Sequence, residues 1–564
     1  MKRFLLHIVL CILPLSALAQ GWAVNPAIKQ VRLGGECKKR VENSFGYLQQ
    51  VALSLVNSVD SCPDDVSHVA EAARVAFALS LEVQALKEKS PALDSLMTAL
   101  IASLNPQGYW GNPVGNTLDE SQLAVNGLLL KALCEYQRQH LADSLKQHIH
   151  TLAHNLFTPH LKQLRQYAAG ISRPWWQKLL FWKRNGRGWK YADPRGQMLE
   201  GMSGLTEACK VLRDSTLAPV VDALAGAVKK SLSKTTTVSP RYQTSALRTL
   251  LQWSEVTADH KLAQWVQAQF DDLVKQRLTA SFAVADGDSL TSVTATADAF
   301  LLANDLWRFS ADTRYVELAQ LIYFNALCSM QSSHGDFVPL SVPTPTQPHL
   351  VAMPQATNES SAQGAEALTQ FCRVATAVKA DTFYINHFTT EMAGPIIDGH
   401  TISMLITSKF PIEENQIEFM LLKQPDGEIA WKIFFPHWLK PTSLKINEQQ
   451  DSCVIDAQGF LSFSKAFEQY GSVSVAFADT SWCDTPPSLL GKTTMRRIMQ
   501  GPLLLAHQTD TISTLPLKPS LQKQRAGNWK VKGAKVTLSP INHFLKPNAL
   551  APDRKRHQVL FPNP

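Results

Sequence analysis

The sequence predicts a fold of mainly α plus β class, an (α/α) toroid or barrel followed by an antiparallel β-sandwich. Three observations carry this reading. Segments with apolar residues at three- and four-residue spacing recur in pairs from about residue 38 to 375. Near residue 381 the pattern changes to short β-rich runs broken by turn residues. After about residue 513 the chain is proline-dotted and basic.

The chain begins "MKRFLLHIVLCILPLSALAQ", with Lys2 and Arg3 ahead of an apolar stretch and a small-x-small site at Ala17-Leu18-Ala19. This pattern predicts a signal peptide over residues 1–19, cleaved near Ala19, and export to the periplasm or the exterior. The apolar stretch is shorter than a bilayer span, and no other stretch is long and apolar enough to be transmembrane.

Residues 20–380 form the predicted helical domain. "ADAFLLANDLWRF" puts Phe300, Ala303 and Trp307 on one face, and "ADTRYVELAQLIYFNAL" follows with Tyr315, Leu318 and Ile322 at helix spacing. Similar pairs are 66–88 with 91–104, 120–139 with 141–156, 199–213 with 216–232, and 240–256 with 260–277. Repeated antiparallel pairs without a fixed-period consensus favour a closed (α/α) barrel over a regular array.

Residues 381–515 form the predicted sandwich. "TISMLITSKF", "QIEFMLLKQ", "EIAWKIFFP", "SLKINEQ", "FLSFSKAF" and "SVSVAFA" read as short strands, and "RRIMQGPLLLAHQ" (496–508) adds one or two more. The basic segment 516–564 is expected to pack back on the barrel.

The net charge is +8, or +6 without Lys2 and Arg3. Five cations and no acid lie between Lys178 and Lys190, and seven cations and no acid between Lys518 and Lys546. In an exported chain such runs point away from nucleic acid, toward an acidic glycan, a lipid headgroup or a plain solvated surface. Eight cysteines remain after cleavage, scattered and without a C-x-x-C or a close Cys/His cluster, so no zinc module is read from spacing. Cys37–Cys62 and Cys453–Cys483 are the candidate disulfides of an oxidising compartment, and Cys134, Cys209 and Cys328 read as buried thiols.

Aromatic loop residues are the first ligand candidates. "NPQGYWGNP" (105–113) presents Tyr109 and Trp110, and "RPWWQKLLFWKRNGRGWK" presents Trp175 and Trp176. Flat rings suit the apolar face of a sugar; the alternative is that they anchor long loops. The candidate acid/base carboxylates are Asp119, Glu120, Asp286, Asp288 and Glu359. Asp119 and Glu120 also read as a helix cap, and Asp286-Gly287-Asp288 as a turn. His334 and His387 are isolated. "GMSGL" (201–205) is not G-x-S-x-G, and H-E-x-x-H, P-loop and G-x-G-x-x-G motifs are absent.

Several segments together resemble glycoside hydrolase family 127, a group that includes bacterial β-L-arabinofuranosidases. They are "QTSALRTLLQWSEVTADHKLAQWV" (243–266), residues 294–337, "DTFYINHF" (381–388), "IFFPHWLKPTSLKINEQ" (433–449), "RRIMQGPLLLAHQ" and "LSPINHF" (538–544). The chain departs from that pattern with Phe434 where arginine is usual and Glu448 where glycine is usual. The resemblance implies a zinc site made by one glutamate and three cysteines, one cysteine being the nucleophile, with a separate glutamate as acid/base. Carried over, the Glu-x-Cys falls on Ser292-Val293-Thr294 and the cysteine pair on Ser360-Ser361, and no glutamate lies between Gln276 and Thr294. Hydroxyls are poor zinc ligands and weak nucleophiles without an activating base. The expectation is a divergent member with no metal and no cofactor, whose Ser292, Thr294, Ser360, Ser361 and His334 contact substrate. Three readings follow: a glycan-active enzyme using other carboxylates, a non-catalytic carbohydrate-binding or scaffold protein, and a surface-interaction protein using the basic runs.

Overall fold

The protein is described here by a computed structural model covering residues 21–562, apart from 115–117, 171–194, 235–237, 354–355, 395, 398–399, 412–413, 424–426, 468–469, 490–492, 517–518, 525–527 and 542–555. The predicted signal segment, Trp175, Trp176 and the first basic run lie outside the described residues. The chain divides into two compact units. One holds Leu48–Val83 and Lys89–Val266; the other holds Gly21–Tyr47, Gln84–Glu88 and Gln267–Pro564. The later helices therefore group with the sheets.

The helices are α1 (Gly35–Ser61), α2 (Val66–Leu86), α3 (Pro91–Ala102), α4 (Glu120–His140), α5 (Asp143–Leu152), α6 (Leu161–Gly170), α7 (Arg195–Leu212), α8 (Ala218–Lys234), α9 (Pro240–Thr257), α10 (His260–Arg277), α11 (Val293–Ser310), α12 (Arg314–Leu321) and α13 (Asn358–Ala375). Local chemistry sets their ends. Ser90 and Ser239 cap α3 and α9 with a hydroxyl, and proline follows each at the first helical position. Leu141, Ala258 and Ala311 end α4, α9 and α11 in the left-handed conformation.

In the first unit α4 and α7 cross closely. A Cβ on Gly204 would lie 2.0 Å from the carbonyl oxygen of Gly127, and one on Gly127 would lie 2.3 Å from that of Glu200. The glycines of "GMSGL" thus serve backbone contact. Beside the crossing, Arg138 bonds Glu207 and, at 2.6 Å, Glu135. Burial pushes the Glu207 carboxyl up, but Lys210 and Arg138 overcome it and hold the group well below the usual carboxylate range.

The second unit contains the sandwich. One sheet has seven strands in the order Val31–Leu33, Glu391–Ala393, Ser403–Ser408, Gln416–Lys423, Ser472–Asp479, Leu439–Ile446 and Gln449–Asp451. The other has four, Phe460–Ala466, Glu428–Phe434, Thr382–Ile385 and Thr376–Lys379, with one parallel pairing between Glu428–Phe434 and Thr382–Ile385. Between them Trp431 packs on Phe419 at 5.2 Å and on Phe383 at 5.0 Å, so aromatic rings fill the core. Val31–Leu33, from the predicted helical domain, is an edge strand of the larger sheet.

Residues beyond 513 supply strands to a further antiparallel sheet that also contains Arg497–Gln500 and Leu503–Gln508. Their strand His557–Gln558 pairs with His349–Leu350. Lys523, Lys530, Lys532 and Lys535 are exposed, as a solvated surface requires. Among the described residues no helix is long and apolar enough to cross a membrane.

Helices and sheets of this unit are joined by polar contacts. Asn325 accepts from the Leu504 amide at 2.7 Å and donates to the Pro502 carbonyl at 2.7 Å. Gln320 donates to the Asn386 carbonyl at 2.9 Å. His387 is fully buried, and its Nε2 lies 2.8 Å from Asn304 Oδ1. Asn304 donates its amide to the Phe300 carbonyl, which fixes the oxygen toward the ring, so the neutral tautomer carries its proton on Nε2. Burial pushes the His387 pKa down to about 3.

Candidate functional site

The positions matched to the zinc and nucleophile residues lie at the N-terminal ends of α11 and α13, two helices bonded to each other deeper in through Gln363 and Asp298. Ser292 caps α11, accepting from the Ala295 amide at 3.1 Å. Thr294 is buried in the first turn of that helix. Ser360 forms a capping box with Thr357: each amide donates to the other's hydroxyl, at 3.0 and 3.1 Å. Ser360 also donates to the Thr357 carbonyl at 2.9 Å. Ser361 is buried and accepts from the Phe337 amide at 3.1 Å. Gly364 permits that approach, since a Cβ there would lie 2.4 Å from the Phe337 ring.

These residues do not fit a zinc ion. Three of the four positions hold neutral hydroxyls already bonded to backbone groups, and the fourth is a buried threonine.

Deeper along the same helices lies a network that the sequence reading missed. Gln363 Nε2 donates to Asp298 Oδ1 at 3.1 Å and to Glu366 Oε2 at 3.0 Å. Gln370 Nε2 donates to Glu366 Oε1 at 3.3 Å. Asp298 is 3% exposed and Glu366 1%. Sharing one nitrogen places the two carboxylate oxygens no more than about 6 Å apart, near the roughly 5–5.5 Å carboxyl spacing of retaining glycosidases. Both carboxylates make further contacts. The signal was available: a helix that buries Glu366, Thr369 and Gln370 breaks its apolar face with groups that need partners.

The carboxylates expected from sequence stand on separate local elements. Asp286 and Asp288 are exposed on a hairpin whose turn contains Gly287 at φ +85°. Glu359 is half-buried in the first turn of α13. In the other unit Asp119 caps α4 through the Ser121 amide at 2.7 Å, and Glu120 is buried at the start of that helix. His334 is exposed, in the turn where its amide donates to Ser332 Oγ at 3.0 Å.

The exposed ring platform expected at 105–113 is corrected. Tyr109 and Trp110 are 1% and 4% exposed. Trp110 Nε1 donates to the Pro63 carbonyl at 2.7 Å, and its backbone exchanges hydrogen bonds with the Asn126 amide group. The Tyr109 hydroxyl donates to Gln107 and accepts from the Val114 amide at 2.8 Å. Both rings hold the loop in place, and their faces are covered by protein.

The candidate pairing Cys37–Cys62 is corrected by distance. No two of the eight cysteines among the described residues are joined by a bond in this structure. Cys37 and Cys62 stand at opposite ends of α1, and 25 residues of helix separate them by roughly 37 Å at 1.5 Å per residue. Cys453 and Cys483 are both partly exposed.

No family model matches the sequence, and no curated protein matches it. Solved structures do match. A glycoside hydrolase superposes with a TM-score of 0.70 at 13% identity, covering 97% of this chain and 99% of that one. A GH127 β-arabinofuranosidase matches with a TM-score of 0.68 at 13% identity, over 97% and 98% of the two chains. A GH127 β-L-arabinofuranosidase from Geobacillus stearothermophilus T6 matches with a TM-score of 0.69 at 12% identity, over 95% and 100%. The fold is therefore GH127-like along nearly the whole chain.

Proposed function

We propose that the protein is an exported, divergent GH127-like protein that recognises a glycan without a zinc–thiolate mechanism. In this reading Asp298, Gln363 and Glu366 form the polar centre of its site. The observation that carries it is the commitment of Ser292, Ser360 and Ser361 to helix caps and a backbone amide. The bonds these hydroxyls make go to backbone groups and a neighbouring hydroxyl, not to a base that would activate a nucleophile. Carboxylates and amides are the usual partners of sugar hydroxyls, because they accept and donate in fixed directions. The neighbours' printed descriptions, glycoside hydrolase and β-arabinofuranosidase, supply the ligand class, and an arabinose-containing glycan is the first to try.

A second reading is hydrolysis by the Asp298–Glu366 pair, favoured by their shared amide and short separation. One experiment separates the two: incubate the mature protein with arabinose-, galactose- and uronate-containing glycans, and measure both released sugar and bound glycan. Binding without release is the expected result. Release that is lost in Glu366→Gln selects the second reading. Neither binding nor release across the panel overturns glycan recognition.

A further inference from the structure

Cys37 lies in the first turn of α1 and Cys372 in the last turn of α13. Both are enclosed, at 6% and 0% exposure. Their sulfurs lie 2.9 Å apart. That is closer than the roughly 3.5–4.0 Å at which even carbon atoms rest against each other, and sulfur is larger. It is also close to covalent reach, since a disulfide bond is about 2.05 Å long. Cys37 additionally lies 3.9 Å from the Leu368 carbonyl, one helical turn before Cys372, so both ends of the contact are set by α13. Cys62 is exposed beyond the far end of α1, and Cys328 and the Cys134–Cys209 neighbours are buried without a sulfur–sulfur contact of this kind.

We propose that Cys37 and Cys372 form a disulfide in the mature protein, made during folding by exchange with an oxidised dithiol or glutathione disulfide. One cysteine thiolate attacks the oxidant's disulfide and releases a thiol. The second cysteine attacks the mixed disulfide and releases the other thiol. The chain loses two electrons and two protons, and the oxidant gains them as two thiols. The bond forms before the core closes. Once folded, burial and the neighbouring Cys37 push the Cys372 thiol well above its ordinary range, and exchange through a thiolate stops. The link spans 335 residues and fixes the start of α1 to the helix that carries Ser360, Ser361, Gln363 and Glu366. Closing so long a loop restricts the unfolded chain strongly.

The proposal rests on the export reading, so its test uses two samples. Full mature chain is taken from the exported fraction, and a second batch is refolded from denaturant in a reduced/oxidised glutathione buffer. Both are unfolded without reductant, labelled with maleimide, weighed and mapped as unreduced peptides. Six labelled thiols and a Cys37–Cys372 peptide pair are expected in both. Cys372→Ser should then label on all seven remaining cysteines and melt several degrees lower than oxidised wild type. Eight labelled thiols in the refolded batch, or a bond joining another pair, overturn the proposal. A bond in the refolded batch alone sustains the pairing and counts against export.

Discussion

Two layers of the α11–α13 pair use their polar groups differently. At the N-terminal ends, Ser292, Ser360 and Ser361 satisfy amides that a helix start or a neighbouring turn leaves open. Deeper in, Asp298, Gln363, Glu366 and Gln370 bond to one another through their side chains. A hydroxyl bonded to its own backbone is part of the scaffold. A buried carboxylate pair meeting on one amide is costly to assemble, and it offers acceptors whose directions are set in advance. The proposed glycan site therefore draws on the deeper layer rather than on the positions matched to the family's zinc and nucleophile.

The strongest way to break this comparison is to neutralise the deeper layer. Glu366→Gln and Asp298→Asn keep shape and replace one carboxyl group each with an amide. Each should weaken glycan binding at least tenfold, about 1.4 kcal/mol, as measured by calorimetry. Unchanged affinity in both would move the site elsewhere.

The next effect is in pH. Glu391 and His387 are buried in the same unit, and His387 bonds Asn304 on α11. Burial pushes the Glu391 carboxyl up to about 8 from an ordinary 4.5. The folded form holds that proton more tightly, so this contribution is complete below about pH 4.5 and lost as pH rises to about 8. His387 runs the other way. Its depressed pKa makes the folded form bind fewer protons, so stability is lost as pH falls from about 6.5 toward 3. Between about pH 4.5 and 6.5 the two slopes oppose each other, and stability falls on either side. Glu391→Gln should flatten the alkaline limb in a series of denaturant melts. A wild-type curve still rising at pH 8 would contradict the assignment.

Smaller effects belong to the capping layer. Ser361→Ala leaves the buried Phe337 amide without its acceptor and should cost about 1–3 kcal/mol of stability. Ser292→Ala removes an N-cap and should cost about 1 kcal/mol. Neither should change glycan affinity in folded protein by more than about twofold, roughly 0.4 kcal/mol. A large affinity loss without a stability loss would return the hydroxyls to the site.

Helix pairs and strand runs were legible because their periodicity reflects which face is buried. α11 and α12 follow the apolar spacing of Phe300, Trp307 and Tyr315, and the strand at Gln416–Lys423 alternates as its sequence does. The edge strand Val31–Leu33 was not legible, because its partner lies 360 residues away and three residues carry no period of their own. Tyr109 and Trp110 misled for a related reason. Glycine and proline around an aromatic pair mark a loop, but only tertiary contacts decide whether the rings face solvent or Pro63 and Asn126. Asp298 and Glu366 were hidden inside helical patterns where attention falls on the apolar residues. What joins them is Gln363, one turn before Glu366 on α13.

The most direct test sets the two layers against each other on one ligand. Once a bound glycan is found, its affinity is measured for wild type, Glu366→Gln and Ser360→Ala under identical conditions, with sugar release followed in parallel. This account predicts a loss of tenfold or more in Glu366→Gln, near-wild-type affinity in Ser360→Ala and no release by any of the three. Abolished binding or release in Ser360→Ala, with Glu366→Gln unaffected, would contradict it.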